Sequence, residues 1–236
     1  MNPYQKLQNR KRTWTPVQTT AGELCAGSEE TIYRALAMRH MELPVGSFIQ
    51  DALSEIPALS ADLLKSNVKD EENHDLALGY IANALGVDET AEAEAKRLRD
   101  AWEAHPDHTV LKALVAERAI FFVLLPFFRF NGDAGLRTVS ADISRDEQVH
   151  VAANSLVCKE LGLEISPSLD KLRKATINWV MSPLKASTNK YLDKKFWLDQ
   201  SDALMYQGKA PELFETKRAR MPAFFEHANP NLPQYA

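Results

Sequence analysis

Apolar residues recur along most of this chain at intervals of three and four positions, the spacing that gives a helix one apolar face. Ala, Leu, Glu and Lys fill these stretches, and all four residue types favour helices. Glycine, which is common in the turns between strands, occurs only nine times. The pattern therefore predicts an all-α fold.

Capping and breaking residues divide the first half of the chain. Ser28 is an N-cap candidate, and Leu43-Pro44 with Gly46 are expected to stop the helix that it opens. Gly86 is expected to end the next long helix. The predicted elements are an extended arm over 1–27, a helix from Ser28 to about Glu42, a short segment from Phe48 to Ile56, and a helix from Pro57 to about Leu85.

The second half of the chain predicts two more core helices and a tail. Charges of alternating sign over 88–104 indicate a solvent-exposed connecting helix. The core helices run from about Val110 to Phe130 and from about Arg137 to Leu161, and further helices extend from Pro167 to about Gln207. We predict one helical domain over 1–221, which includes the arm, and an extended tail over 222–236.

Composition argues against two classes of partner. The net charge of −4 and the pI near 5.9 give no broad basic field, so we expect no nucleic-acid binding. The longest apolar run, Ala119 to Phe128, contains Pro126 and is shorter than the roughly 20 residues that span a bilayer. The basic residues near the N-terminus are not followed by an apolar stretch, so we expect neither a signal peptide nor a membrane segment.

The two cysteines, Cys25 and Cys158, lie far apart and in no metal-binding or redox spacing. This usage predicts a reduced, cytoplasmic compartment and packing roles for both thiols.

Two Glu-x-x-His pairs occur, Glu71 with His74 and Glu147 with His150. Each spacing places both side chains on one face of a helix, where they can chelate a metal ion. A lone carboxylate precedes each pair at a similar distance: Glu42 lies 29 residues before Glu71, and Glu117 lies 30 residues before Glu147. The same helix-loop-helix arrangement is therefore repeated twice.

Repeated in this way, the pattern predicts a ferritin-like four-helix bundle with inward-facing ligands and a dinuclear metal site. Four carboxylates and two imidazoles suit two ions of iron or manganese. The predicted ligands are Glu42, Glu71, His74, Glu117, Glu147 and His150.

For both lone carboxylates, a role other than metal binding remains open. Glu117 lies in an apolar stretch, where an unpaired carboxylate is costly, but Arg118 or Arg129 could pair with it instead of a metal. Glu42 could be a solvated acid at a helix end, in which case Glu30 on the same helix is the alternative first ligand.

The segment Arg145-Asp146-Glu147-Gln148-Val149-His150 resembles the Arg-Asp-Glu-x-x-His segment of class I ribonucleotide reductase small (radical-generating, beta) subunits. Glu117 followed by Phe121 and Phe122 is similar to a second helix of that family, and Trp14-Thr15-Pro16 is similar to its N-terminal Trp-x-Pro element. Together these features cover about 150 residues, from Trp14 to Leu161.

The resemblance implies an oxidoreductase that activates oxygen at a dinuclear site and stores a one-electron oxidant for a large catalytic subunit, which makes deoxyribonucleotides. It implies that Asp146 is the partner of the ligand His74 and that Trp14 is the first aromatic relay. The alternatives are an ordinary acid on the helix surface for Asp146 and a packing anchor of the arm for Trp14. It also implies a homodimer and a C-terminal tail that docks on the large subunit, with Tyr235 as a relay or as a solvated terminal residue.

Two departures from the family change these expectations. The chain is short, which suggests a compact variant such as a phage carries and a place in the host cytoplasm. Leu78 stands one helical turn after His74, where many members have a radical tyrosine, and Tyr80 and Tyr33 each lie nine residues from their neighbouring ligand, on the opposite helix face. We therefore expect the oxidant on the metals, with manganese–iron favoured over iron–iron or manganese–manganese.

Two other functions fit the same ligands. A different ferritin-like di-metal oxidase or oxygenase, acting on a small or fatty substrate, would use this ligand set equally well. A metal-storage or structural bundle is the non-enzymatic alternative.

Overall fold

The computed structural model describes residues 1–213 and contains no β-strand among them. Lys185 and Asp193 form an isolated β-bridge. The prediction of an all-α fold is confirmed for this part of the chain. Tyr235 and the predicted tail over 222–236 lie outside the described residues.

The helices follow one another with short connections. They are α1 (Pro3–Gln8), α2 (Glu29–Ala37), α3 (Glu42–Ala52), α4 (Ala61–Leu85), α5 (Glu89–Glu103), α6 (Thr109–Ala116), α7 (Phe122–Asn131), α8 (Ala134–Glu160), α9 (Pro167–Met181) and α10 (Lys194–Gln207). Short 3₁₀ turns cover Met38–Met41, Ala58–Ser60 and Lys190–Leu192, and a π-helical turn covers Glu117–Phe121.

Four helical segments surround the interior. The α4 helix packs against α3 and α8, α6 packs against the same two helices, and α7 continues along α8. The α10 helix lies over the π-helical turn and α7, and α9 packs against α10. Buried apolar side chains from these helices form one continuous core cluster. In the part that the structure describes, no helix is long and apolar enough to cross a membrane.

The expected stop at Leu43-Pro44 and Gly46 is wrong. The 3₁₀ turn Met38–Met41 leads directly into α3, which begins at Glu42 and includes both Pro44 and Gly46. Pro44 stands in the first turn of α3, where a missing backbone N–H costs least. Helical structure therefore continues past Glu42 and carries this residue into the interior.

The arm is only partly extended. Asn2 caps the short α1 helix, in a reciprocal capping box with Gln5, and Pro3 occupies its first turn. The arm runs along α8: Tyr4 of α1 donates to Glu160 near one end of α8, and the Gly22 N–H donates to Asp133 at the other.

Three other local expectations need correction. The hydroxyl of Ser28 donates to the Cys25 carbonyl and does not cap α2. The α5 helix is not a fully exposed connector, because Trp102 is completely buried and donates to Thr176. Of the two cysteines, Cys158 is buried and Cys25 is partly exposed, and both are free thiols.

The third core helix is interrupted by the π-helical turn. A π turn has one more residue than an α turn, so it shifts the register between α6 and α7 and leaves carbonyls without their usual partners. Within this turn, the Ala119 carbonyl accepts a hydrogen bond from the Ser201 hydroxyl of α10 at 2.6 Å. The distortion begins at Glu117, a predicted ligand.

Candidate metal centre

Six acidic and imidazole side chains meet in the interior, and each is at most 1% exposed. They come from four helical segments, and their arrangement follows from helix geometry, because each Glu-x-x-His pair presents two groups on one face. They are Glu42 of α3, Glu71 and His74 of α4, Glu117 of the π-helical turn, and Glu147 and His150 of α8. The structure thus brings all six predicted ligands together.

The first half of the cluster surrounds the Nδ1 atom of His74. The nearest carboxylate oxygens belong to Glu71 at 3.3 Å, Glu147 at 3.5 Å and Glu42 at 3.7 Å. One donor atom from each of these four residues lies within 4.8 Å of the others, so this group could hold a metal ion.

The second half surrounds the Nδ1 atom of His150. Its neighbours are Glu71 at 2.9 Å, Glu117 at 3.7 Å and Glu147 at 3.8 Å. Glu71, Glu117 and His150 form a second group with donor atoms within 4.8 Å of one another.

Glu71 and Glu147 belong to both halves. Each turns one carboxylate oxygen toward His74 and the other toward His150. Glu42 and Glu117 contact one half each. The two halves therefore share two carboxylates, and each has one carboxylate of its own.

The free donor atoms test whether a metal fits. Both carboxylate oxygens of Glu42, Glu71 and Glu147, one oxygen of Glu117, and the Nδ1 atoms of both histidines are buried without a well-formed hydrogen bond. Buried polar atoms are normally paired, and unpaired carboxylates are especially costly. Oxygen and imidazole donors suit iron or manganese, so the residues fit a metal ion in each half.

Burial and neighbouring charges shift the pKa of every group in the cluster. Burial raises the pKa of Glu42, Glu117 and Glu147 above the usual range. Burial acts against ionisation of Glu71 as well, but the nearby His150 and His74 hold the pKa of Glu71 below its usual range. Burial also opposes protonation of both histidines, and the surrounding carboxylates outweigh it and raise their pKa well above 6.5.

The Nε2 atom of His74 faces away from the cluster, toward Asp146 at 3.3 Å. The indole N–H of Trp14 donates to the same Asp146 oxygen at 2.6 Å, and the Trp14 ring stacks on His74 with 6.2 Å between ring centroids. Although burial opposes it, these two donors lower the pKa of Asp146. The structure therefore places the predicted relay residue, its carboxylate and the imidazole in one chain of contacts.

The Nε2 atom of His150 has a partner that the sequence analysis missed. It lies 2.9 Å from an oxygen of Asp70, and this same oxygen accepts a hydrogen bond from the ammonium of Lys11. A signal was present, because Asp-Glu-x-x-His occurs twice, once from Asp70 and once from Asp146. Each aspartate contacts the histidine of the opposite helix.

Glu117 is paired with neither candidate arginine. Arg118 donates to the Leu204 carbonyl, and Arg129 donates to the Ser144 hydroxyl. The amide of Asn154 donates instead to one Glu117 oxygen at 2.7 Å, which leaves the other oxygen facing the cluster. Asn154 stands one turn after His150 on α8 and was also missed.

Glu30 does not compete with Glu42. Glu30 is exposed and pairs with Arg34 one turn later on α2, whereas Glu42 is fully buried beside His74.

Leu78 is buried one turn after His74, in an α4 helix without a bulge. Tyr80, on the same uninterrupted helix, is partly exposed. Tyr33 points toward the end of α4, where its hydroxyl lies 3.5 Å from the Leu85 carbonyl.

Comparison with known proteins identifies no relative of this chain. The chain matches no protein-family model, no curated protein and no solved structure. The resemblance to ribonucleotide reductase small subunits therefore rests on the motifs themselves and on the arrangement of their residues.

Proposed function

We propose that this chain is the small subunit of a class I ribonucleotide reductase and holds two metal ions in a ferritin-like bundle. The observation that supports this most is the contact chain Trp14–Asp146–His74, which leads from the arm to the carboxylate cluster. A metal-storage site needs no indole hydrogen-bonded to the partner of its histidine.

The ferritin-like architecture is supported by the origin of the ligands. In that class, two helices each give one Glu and two others each give a Glu-x-x-His pair. Here α3 and the π-helical turn give Glu42 and Glu117, and α4 and α8 give the two pairs. Glu71 and Glu147, which face both histidines, would hold the ions together with Glu42, His74, Glu117 and His150.

Two redox-active ions bound there would supply oxygen activation and a one-electron oxidant. The protein's own residues would exclude water, because all six ligands are buried, and would fix the imidazoles. Asp146 accepts from His74 and so keeps its Nδ1 atom toward the ions. Trp14 would be the first aromatic residue on the route by which the large subunit delivers an electron.

The stored oxidant would reside on the metals, with a manganese–iron pair favoured. Leucine cannot be oxidised reversibly, and Leu78 is buried where a radical tyrosine would be expected. Glu42, where many relatives have Asp, is compatible with a changed metal preference. Electron paramagnetic resonance after activation with iron, manganese and both metals tests this. A tyrosyl signal lost in Tyr80→Phe, together with activity, would refute a metal-centred oxidant.

The proposal includes a large catalytic subunit as partner and a homodimer of this chain. Docking by the tail over 222–236 and a relay role for Tyr235 belong to the same proposal and concern residues outside the described part.

Metal analysis is the first test. Two ions per chain are expected after loading with iron or manganese, and a Glu117→Ala, His150→Ala double variant should lose binding. Unchanged binding in that variant, or a stoichiometry near zero in the natural sequence, would remove the basis of the proposal.

Ribonucleotide reduction with a candidate large subunit is the second test. Trp14→Phe should abolish reduction and keep both ions, because the ring stays while the N–H to Asp146 is lost. Trp179→Phe, a partly buried indole on α9, is the matched control and should retain activity. Full activity of Trp14→Phe would refute the relay. Oxidation of a small or fatty substrate without a large subunit would favour the oxidase alternative.

A further inference from the structure

The Lys11 ammonium lies at the outer end of a chain of contacts that ends at His150. It donates to Asp70, and it also lies 3.0 Å from the side-chain oxygen of Asn67, which is fully buried. Asp70 in turn lies 2.9 Å from the His150 Nε2 atom. Lys11 reaches this position from the arm, three residues before Trp14.

In both halves of the centre an aspartate contacts the histidine, but the group that donates to this aspartate differs between the halves. Asp146 receives a neutral indole N–H, and Asp70 receives a charged ammonium. Hydrogen bonds from charged donors are shorter and roughly twice as strong as neutral ones. The arm therefore fixes the His74 half and the His150 half by different means.

We propose that Lys11 is a positioning residue for the His150 half of the metal centre, acting through Asp70. The proposal rests on the proposed function in one respect, that the six buried residues bind metal, and does not depend on ribonucleotide reduction.

The reason for this role is the place of Asp70. Of the two aspartates that contact the histidines, Asp70 is the more exposed, at 8%. With its contact to His150 alone, the Asp70 carboxylate would be free to rotate toward solvent. Lys11 closes that route, because it is itself anchored by Asn67 and its side chain is only 11% exposed. An oriented carboxylate fixes the imidazole and keeps Nδ1 directed at the ion.

Two single variants serve as starting proteins in which metal binding by each half of the centre is measured separately. Glu42→Ala removes a ligand from the His74 half only, and Glu117→Ala removes one from the His150 half only. Metal-free protein is titrated with Mn²⁺ without oxygen, and binding is followed by calorimetry and by the resonance signal of free Mn²⁺. In the Glu42→Ala background, Lys11→Met should weaken Mn²⁺ binding by about 10-fold or more, the usual effect of losing an outer partner.

In the Glu117→Ala background, the same substitution should change Mn²⁺ binding by less than about 2-fold, since the intact His74 half is held by Asp146. Lys11→Arg retains the charge and should restore most of the affinity. Lys6→Met, an exposed lysine of the same arm, is the control and should change nothing.

A double-mutant cycle tests the route through Asp70. Asp70→Asn should weaken the His150 half by itself, and adding Lys11→Met should cost little more, because both act on one contact chain. If Lys11→Met alone folds poorly, Lys11→Gln, which keeps much of the side chain and removes the charge, takes its place in the cycle.

Equal losses in both halves, an effect matched by Lys6→Met, or additive losses in the cycle would each overturn the inference and leave the metal centre intact. No binding of Mn²⁺, iron or both by the natural sequence would overturn the proposed function and this inference together.

Discussion

Replacing Glu42 by methionine should stabilise the metal-free protein. Glu42 is fully buried, and neither of its carboxylate oxygens has a hydrogen-bond partner. Its nearest opposite group, the His74 Nδ1 atom, is 3.7 Å away, which is too far for a hydrogen bond. Methionine has a similar length and no oxygen, so Glu42→Met removes an unpaired buried group without leaving a large cavity.

The magnitude follows from the cost of such groups. An unsatisfied buried polar group costs about 1–3 kcal/mol, and replacing buried ionic groups by apolar ones often stabilises by about 1–4 kcal/mol. We expect a gain of about 1–3 kcal/mol for Glu42→Met, and each kcal/mol raises Tm by about 2–4 °C in a chain of this length.

Thermal unfolding with and without metal is the assay. Without metal, Glu42→Met should melt above the natural sequence. With Mn²⁺ the order should reverse, because an ion that binds only the folded state stabilises it by an amount that grows with its affinity. Glu30→Met, an exposed glutamate, should stay within about 0.5 kcal/mol of the natural sequence in both conditions. A lower Tm for metal-free Glu42→Met would refute the reasoning, since it would show that the carboxylate stabilises the empty cluster.

Three further predictions follow from contacts and charges in the described residues. The raised pKa of His74 and His150 means that the metal-free folded state binds their protons more tightly than the unfolded state does. The stabilisation from these protons is therefore complete below pH 6.5 and is lost as pH rises through the pKa of the folded state. The affinity for Mn²⁺ should rise over the same pH range, because the ion displaces those protons. Urea midpoints at several pH values, with and without Mn²⁺, measure both trends, and parallel trends would contradict this. Lys112→Met should cost about 1–3 kcal/mol in urea unfolding and leave metal stoichiometry unchanged, because the buried ammonium donates to two carbonyls at the end of α5; loss of metal would show a wider role. Ser201→Ala should cost about 1–3 kcal/mol, since it removes a buried hydroxyl that donates to the Ala119 carbonyl of the π-helical turn, and an unchanged urea midpoint would show that the turn needs no such support.

Most of the candidate ligands could be predicted because their positions follow from local helix geometry. A Glu-x-x-His spacing places both groups on one helix face whatever the rest of the chain does, so Glu71 with His74 and Glu147 with His150 followed from sequence alone. Glu117 followed from its apolar surroundings, where a carboxylate needs a reason to be buried. Glu42 remained open between two positions, because its burial depends on where the first helix ends.

The errors concern features that depend on position within a turn or on distant parts of the chain. Pro44 was expected to stop a helix, but the cost of a proline depends on its place in the turn, and a preceding 3₁₀ turn changed that place. The π-helical turn at Glu117 has no spacing signal, since the same apolar residues fit an uninterrupted helix. Lys11 is one of several basic residues near the N-terminus, and its contact with Asp70 exists only after the arm packs on the bundle.

The crossed aspartates give the centre its precision. Asp70 of α4 contacts His150 of α8, and Asp146 of α8 contacts His74 of α4, so each helix orients the ligand of the other. A slip of one helix against the other by a single turn, about 5.4 Å, would break both contacts and separate the two carboxylates that face both histidines. Local sequence places a glutamate and a histidine on each helix, whereas the crossed pairs select the one register in which the two halves can share Glu71 and Glu147. The second Asp-Glu-x-x-His is therefore as much a signal of helix pairing as of metal binding.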